Sequence, residues 1–312
     1  MTSHQVQWVF LGLVAVLTLS GLFGALARRL GQPAVVGEIL AGIVIGPSLF
    51  GGAVAHALLP AEVRPMLTAL ANLGLALFMF AIGYELRFGE LRGRGGLALR
   101  VSVFSVALPF ALGALLALAV ADAHPGPNRA GFVIFLGAAL SVTAFPVLAR
   151  ILSDRGLDRT RLGAVALAAA AIADLLAWGL LGISATVAGT AGQHRMLLVP
   201  VYLAVMVLGV RPLLRRVFAG AEEDGVTPGR FGVLLVALLM SCWATEWMGI
   251  HFIFGAFLLG AVAPRGVRRD VAAEVTGRLE AVGGLLLPVY FVLAAIRVDL
   301  SSVGLSGAGN SP

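Results

Sequence analysis

Apolar segments of about 17–25 residues alternate with short polar connections along almost the whole chain. Each segment is long enough, as a helix, to cross the hydrocarbon core of a bilayer. We predict ten spans, with an error of about 2–4 residues at each end. They cover residues 8–27, 33–50, 66–86, 97–122, 130–152, 160–188, 196–214, 231–247, 250–264 and 281–298. The pattern therefore predicts an all-α polytopic membrane protein.

Composition supports this class and excludes several others. Of the 312 residues, 59% are hydrophobic and 12% are charged, and the mean hydropathy of +0.98 lies outside the range of soluble globular proteins. Cys242 is the only cysteine, so the sequence offers neither a disulfide framework nor a cysteine metal site. The net charge of +6 lies in the loops between spans, so we expect the lipid bilayer, and no nucleic acid, as a partner.

The basic residues, all of them arginines, are distributed unevenly between the loops. Most of the 22 arginines fall in the odd-numbered loops, and the even-numbered loops hold only Arg64, Arg129 and Arg195. Cytoplasmic loops of membrane proteins carry the excess of positive charge. The distribution predicts a multi-pass protein of the cell membrane with its N-terminus outside.

Two parts of the chain resemble each other. The second span carries Gly37–Gly42 and the ninth carries Gly255–Gly260, while the third span ends in 81–86 and the tenth in a similar segment, 295–300. Each match is weak alone, but the order is shared. Seven spans separate the partners, so the copies enter the membrane with opposite topology, as in the inverted repeats of secondary transporters.

The repeat predicts a division into three regions. Residues 1–188 form a first six-helix repeat, residues 189–230 a linking helix and cytoplasmic loop, and residues 231–312 an incomplete second repeat. Two six-span repeats and a linking span would make thirteen spans, of which ten are present. We therefore expect a truncated chain.

One acidic residue lies in the middle of an apolar span. Asp174 stands within the run Ala166–Ile183, where an ionised carboxylate costs roughly 2.5–3.5 kcal/mol on insertion scales. Such a residue indicates a functional site that faces a cavity or a partner. The alternative is an Asp that pairs with a neighbour and has no further role.

The preceding span contains a second anomaly. Pro146 follows Ser141 and Thr143, and a proline in a helix removes a hydrogen bond and clashes with the preceding turn. A break at bilayer depth leaves carbonyl groups that need partners. The hydroxyl oxygens of Ser141 and Thr143 are hard ligands for a cation, although a simple kink remains the alternative.

These residues suggest a mechanism of exchange. Desolvation favours the protonated carboxyl, whereas a bound cation favours the carboxylate, so proton and cation compete for Asp174. If the loaded site must move to cross the membrane, competition becomes antiport. Glu38, also within a span, is either part of the access path or a hydrogen-bonded structural residue.

Four segments together resemble the monovalent cation:proton antiporter-2 family of the sodium/hydrogen exchanger superfamily. They are residues 31–48, 141–152, 170–178 and 287–300. The resemblance implies a thirteen-span, inverted-repeat sodium/proton-antiporter fold with two crossing broken helices, elevator-type alternating access and a homodimer. It implies exchange of Na⁺ or K⁺ for H⁺, with Thr143 in the first broken helix and Asp174 as the essential carboxylate. No cofactor, and no metal beyond the transported cation, is expected.

The sequence departs from the family pattern at Ala173, where the family usually has Asp or Asn. One carboxylate is most easily reconciled with electroneutral exchange. A different class of function is a truncated, non-transporting membrane fragment with an inactive or regulatory role. An intramembrane enzyme is disfavoured because no nucleophile–histidine pair or metal-ligand cluster lies in the spans. A sodium-coupled organic anion carrier would share broken helices but not these motifs.

Overall fold

The computed structural model describes residues 2–48, 52–86, 95–121, 128–187, 194–219, 225–264 and 269–299. Within these ranges the chain is helical between short turns, which confirms the all-α fold class. The helices are α1 Ser3–Arg29, α2 Ala34–Ile45, α3 Ala53–Leu58, α4 Arg64–Glu85, α5 Gly95–Val120, α6 Arg129–Ser141, α7 Phe145–Asp154, α8 Arg161–Val187, α9 Val199–Val205, α10 Arg211–Phe218, α11 Pro228–Trp247, α12 Phe252–Val262 and α13 Arg269–Ala295. A 3₁₀ turn, His194–Leu198, leads into α9, and a π-helical turn, Met206–Val210, joins α9 to α10.

The helices account for the predicted spans. In the described ranges seven segments are long and apolar enough to cross a membrane, with α6 and α7 counted together, as are α9 and α10. Three shorter apolar segments, in α2, α12 and the second half of α13, coincide with the other three predicted spans. The protein is therefore a multi-pass membrane protein.

Some boundaries differ from the prediction. Helix α2 ends at Ile45, not near residue 50, because Gly46 is extended, with φ −64° and ψ −175°, and Pro47 follows it. Helix α13 begins at Arg269, well before residue 281. The hydropathy pattern missed its first turns because they contain charged residues. The short helix α3 was not expected.

The N-terminal helix illustrates how local sequence sets these boundaries. The Thr2 hydroxyl accepts from the amide of Gln5 at 3.3 Å, and the Gln5 side chain accepts from the Thr2 amide at 3.0 Å, which forms a capping box. At the other end, Arg28 and Arg29 lie in the last turn, where cations favour the negative end of the helix dipole. Gly31 follows with φ 72°, a conformation that glycine adopts readily.

The chain forms two compact units. Unit 1 contains residues Met1–Phe78 and the stretch that begins at Arg278, and unit 2 contains Met79–Gly277. Unit 1 has an apolar core drawn from α1, α2, α3, the first part of α4 and the end of α13. The two units and the predicted repeats divide the chain differently, and the repeats remain a prediction. The predicted boundary at 188–189 and residues 300–312 lie outside the described residues.

Unit 2 turns large apolar side chains outward and small polar ones inward. On α5, Phe104 is 71% exposed and Leu108 is 64% exposed, as expected for side chains that face lipid. On the same helix Ser102 is fully buried, and its hydroxyl lies 2.7 Å from the Ala98 carbonyl and 2.8 Å from the Ala169 carbonyl. Small residues and interhelical hydrogen bonds hold membrane helices together in this way.

The paired glycine motifs occupy equivalent places in the two units. In unit 1 a Cβ atom on Gly37 would overlap the backbone of Phe23, so α2 packs directly on the backbone of α1. In unit 2 a Cβ atom on Gly255 would overlap the carbonyl of Ser241, so α12 packs in the same way on α11. The first and second helices of each predicted repeat therefore make the same type of contact.

The second glycine of each motif contacts the third helix of the other predicted repeat. A Cβ atom on Gly42 of α2 would overlap the carbonyl of Val292 in α13. A Cβ atom on Gly260 of α12 would overlap the carbonyl of Phe80 in α4 and lie 2.8 Å from the Tyr84 nitrogen. Both glycine contacts thus occur in each unit, and the repeat itself stays a prediction.

Candidate functional site

The fifth predicted span is interrupted just before Pro146. Helix α6 ends at Ser141, residues 142–144 are not helical, and α7 begins at Phe145. Pro146 lies in the first turn of α7, where its missing N–H removes no helical hydrogen bond. The break therefore precedes the proline and does not divide a continuous helix at it.

Asp174 in α8 faces the start of α7. Its residue surface is 4% exposed, and its Oδ2 atom accepts from the backbone N–H of Phe145 at 3.4 Å. The backbone amide of Thr143 also faces this carboxyl group. Helix N-termini present unsatisfied N–H groups and a positive dipole end, so the start of α7 can stabilise negative charge here.

The second oxygen of Asp174 has a different environment. Oδ1 is buried, and none of the described residues hydrogen-bonds to it. A buried, ionised carboxylate oxygen without a donor is unfavourable by an amount on the order of 1–3 kcal/mol or more. The oxygen is therefore suited to carry a proton or to coordinate a cation.

Aromatic side chains enclose one side of the break. Phe145 is fully buried, and its ring centroid lies 5.1 Å from that of Phe257, edge to face, and 6.5 Å from that of Phe254. Both partners belong to α12. Sequence reasoning did not find this contact, because the three phenylalanines are apolar residues in separate apolar spans and nothing in the pattern pairs them.

The other predicted site residues of unit 2 are placed as follows. The Ser141 hydroxyl is buried and donates to the Ala138 carbonyl at 2.8 Å, so its proton is engaged within α6. Thr143 is half-buried in the break itself. Ala173 is 2% exposed beside Asp174, so a polar side chain in its place would also be buried. The structure thus brings the Thr143 backbone and Asp174 together.

Glu38 belongs to the other unit. It lies on α2, next to the tightly packed Gly37, and 4% of its surface is exposed. This burial fits either of the roles that the sequence suggested, and the role of Glu38 stays a prediction.

A second polar cluster lies at the end of α4. The Glu85 carboxylate accepts two hydrogen bonds from the Arg159 guanidinium, one of them from Nε at 3.1 Å. The Glu85 side chain is 11% exposed and that of Arg159 is 60% exposed. The sequence gave no signal for this long-range pair.

The sequence matches a known family over most of its length. The profile of the family described as "Sodium/hydrogen exchanger, transmembrane" matches residues 14–310. The chain is 36% identical to the Na(+)/H(+) antiporter NhaS4 of Synechocystis sp., with 96% of this chain and 76% of that protein covered.

Longer eukaryotic proteins are also similar. Cation/H(+) antiporter 20 of Arabidopsis thaliana is 34% identical over 92% of this chain. K(+)/H(+) antiporter 1 of Saccharomyces cerevisiae is 32% identical over 86% of it. The chain spans only 36% and 33% of these two proteins, respectively. All three relatives are named as antiporters, which agrees with the prediction of a transporter and not an enzyme.

Proposed function

This chain belongs to the transmembrane sodium/hydrogen exchanger family, and we propose that it exchanges a monovalent cation for protons at Asp174. The names of the relatives support Na⁺ or K⁺ as the cation. The proposal goes further than the family, because it assigns the competition between proton and cation to one carboxyl group.

The observation that carries the proposal is the environment of Asp174. One carboxyl oxygen faces the amide of Phe145, while the other is buried with no donor among the described residues. A proton on Oδ1 removes the charge, and a cation beside it compensates the charge. Both ligands satisfy the same oxygen, so binding of one excludes the other.

The interruption between α6 and α7 supplies the rest of the proposed site. Residues 142–144 lie between the two helices. The Thr143 and Ala144 carbonyls accept from the amides of Phe145 and Leu148, each at 3.0 Å, so each can offer a cation only its second lone pair. We assign the Thr143 oxygens to the cation, together with Asp174. The Ser141 hydroxyl already donates within its helix, so it can contribute only its oxygen lone pairs.

Exchange requires that only loaded forms cross the membrane. In the proposed cycle the site moves by elevator-type alternating access, either with a proton on Asp174 or with a cation beside its carboxylate. The charged, empty site stays on one side because transfer of an uncompensated carboxylate through the bilayer is unfavourable. A homodimer in the cell membrane, with the N-terminus outside, completes the proposal.

The residue beside Asp174 bears on stoichiometry. Ala173 contributes no charge, so the site holds a single carboxylate. A single carboxylate bound to one monovalent cation or to one proton has the same net charge in both forms. We therefore propose one-for-one, electroneutral exchange.

The test is exchange in proteoliposomes that contain the purified chain and a trapped pH-sensitive dye. Addition of Na⁺ or K⁺ should move protons through the wild type and the Glu62→Gln control, since Glu62 is exposed on a loop. Asp174→Asn should reduce exchange to the level of empty liposomes. Cation-driven proton movement by a well-folded Asp174→Asn variant would refute the role of Asp174, and a silent wild type would favour a non-transporting membrane protein.

Stoichiometry can be tested in the same vesicles. Electroneutral exchange should proceed at the same rate whether or not valinomycin and K⁺ clamp the membrane potential, with Na⁺ as the driving ion. A rate that changes with the clamped potential would contradict the one-for-one proposal. The Ala173→Asp variant adds a second carboxyl group, and we expect its exchange rate to become sensitive to the potential.

A further inference from the structure

Unit 1 contains a pocket of about 290 Å³ that plays no part in the proposed ion site. It lies among the loop after α2, helix α3, the first turns of α4 and the end of α13. The polar side chains that line it define what we call the arginine pocket: His56, Arg64, Thr68 and Arg297. The lining includes no acidic residue, so the pocket carries a formal charge of two positive units with His56 neutral.

Arg64 is held in place by its own surroundings. It is the first residue of α4, and its Nε atom donates to the Leu59 carbonyl at 2.8 Å. The Thr68 hydroxyl donates to the Arg64 carbonyl, also at 2.8 Å, which orients the hydroxyl oxygen along the first turn. Within the described ranges, no hydrogen bond or ion pair involves the two terminal guanidinium nitrogens. They are therefore available to a ligand.

The backbone that carries Arg297 is fixed as well. Ile296 donates from its amide to the Val292 carbonyl at 2.9 Å, which extends the end of α13. The Ser48 hydroxyl donates to the Val298 carbonyl at 2.8 Å and ties this segment to the loop after α2. Arg297 itself is exposed, so its guanidinium lies at the open rim of the pocket.

The floor of the pocket is apolar. Pro47, Ala55, Leu293 and Ile296 line it, and the last three belong to the core of unit 1. A ligand that suits both parts carries a compact negative charge next to an apolar portion. The half-buried guanidinium of Arg64 is less screened than a fully exposed one, so its attraction for an anion is stronger.

The positions of these arginines also call for an explanation. Arg64 is one of only three arginines in the even-numbered loops, which are otherwise poor in basic residues. The positive-inside pattern does not account for two arginines that share a pocket on that face. A ligand that binds both arginines would account for their positions.

We propose that the arginine pocket binds a phosphoryl group. Arginine presents planar pairs of N–H donors that match phosphate oxygens. The shared chemistry admits two sources, the head group of an anionic phospholipid or free phosphate. The apolar floor favours the lipid. This site does not depend on the proposed exchange reaction, and its test does not require transport.

The experiment measures thermal unfolding of the purified full chain in a neutral detergent as ligand is added. The probes are dioctanoyl phosphatidylglycerol, inorganic phosphate and chloride at equal ionic strength. We expect the lipid to raise the unfolding temperature of the wild type with saturation. Arg297→Gln, at an exposed position, should raise the apparent Kd about tenfold or more, since a charge-assisted hydrogen bond to the ligand is lost.

Two further variants make the test specific. Arg64→Lys retains the charge but loses the paired donors, and it should also weaken binding. Arg195→Gln removes an arginine of the same group of loops that lies outside the pocket, against the Trp247 ring, and should bind as the wild type does. A response to phosphate equal to that of the lipid, and lost in Arg297→Gln, would assign the site to free phosphate. A wild-type response no greater than that to chloride, or equal responses in wild type and Arg297→Gln, would overturn the proposal.

Discussion

Replacement of Gly83 by alanine should loosen the packing that encloses the candidate ion site. Gly83 lies on α4 where this helix crosses α12, and an added Cβ would overlap the carbonyl oxygen of Phe257. It would also lie 2.9 Å from the Phe257 carbonyl carbon and 3.1 Å from the Ala261 nitrogen. These are backbone atoms, which cannot swing aside as the end of a flexible side chain can. The two helices must therefore separate.

The size of the effect follows from these distances. Ordinary contact begins near 3.4 Å, and the overlap with the Phe257 oxygen is deeper than that with its carbonyl carbon, so the helices must move apart by about 1 Å or more. A gap of about 1 Å forfeits roughly half of each dispersion contact. Overpacking of this kind costs roughly 1–3 kcal/mol. The higher helix propensity of alanine returns up to roughly 1 kcal/mol. We expect a net loss of about 2 kcal/mol, or an unfolding temperature lower by roughly 4–8 °C for a unit of this size.

The same movement should impair function. Phe257 packs edge to face against Phe145, whose amide faces Asp174. A displaced α12 would shift this contact and admit water to the site, so we expect slower exchange as well as lower stability. Thermal unfolding of the purified protein and the initial exchange rate in proteoliposomes measure the two effects separately.

The matched control is Gly179→Ala in α8, the helix that carries Asp174. A Cβ atom on Gly179 has no heavy atom within 4 Å, so only helix propensity changes. This variant should be as stable as the wild type or more stable by up to about 1 kcal/mol. If Gly83→Ala matched Gly179→Ala in both stability and exchange, the inferred crossing of α4 and α12 would be wrong.

Three other substitutions test the packing of unit 2 by thermal unfolding. Ser102→Ala removes the buried hydroxyl that contacts the Ala169 carbonyl and should cost about 0.5–1.5 kcal/mol. Asn128→Ala removes the N-cap of α6, where the side chain accepts from the Gly131 amide at 2.9 Å, and should cost about 1 kcal/mol. Arg159→Gln leaves the poorly exposed Glu85 carboxylate without its charged partner, and we expect a loss on the order of 1–2 kcal/mol.

Each of these has its own control. Asn128→Asp keeps the acceptor at the N-cap but loses the hydrogen bond that Nδ2 donates to the Val187 carbonyl, so it should recover only part of the stability that Asn128→Ala loses. The double variant of Glu85→Gln and Arg159→Gln should recover much of the loss caused by Arg159→Gln alone, because the Glu85 carboxylate is no longer left without its charged partner. Equal stability of the single and double variants would contradict the role of the ion pair, and an unaffected Ser102→Ala would exclude an energetic role for the α5–α8 hydrogen bond.

Hydropathy alone could predict where the apolar helices of the described ranges lie and their order along the chain. Each apolar run must satisfy its backbone within the bilayer, so length and composition are enough to place it. The same reasoning failed for the first half of α13, from Arg269 onward. Backbone hydrogen bonds of a helix do not require apolar side chains, so the helix extends beyond its apolar portion. It also extended α2 beyond Gly46, where the extended backbone and the proline that follows end the helix.

The candidate site was predictable only in part. Asp174 and Pro146 are conspicuous because a carboxyl group and a proline are both unusual in the middle of an apolar span. The contacts around them are not, since Phe145, Phe254 and Phe257 look like any other apolar residues of a span. Long-range pairings such as these depend on tertiary packing, which a pattern of hydropathy does not encode.

The contact between α2 and α13 also has a consequence for biosynthesis, because the two helices lie far apart in the sequence. Unit 1 combines residues up to Phe78 with a helix that leaves the ribosome about 200 residues later. At about 5–20 residues per second, that interval lasts roughly 10–40 s. During this interval Gly42 lacks its packing contact with the backbone of Val292. The first helices to enter the membrane are therefore incompletely packed while unit 2 is synthesised.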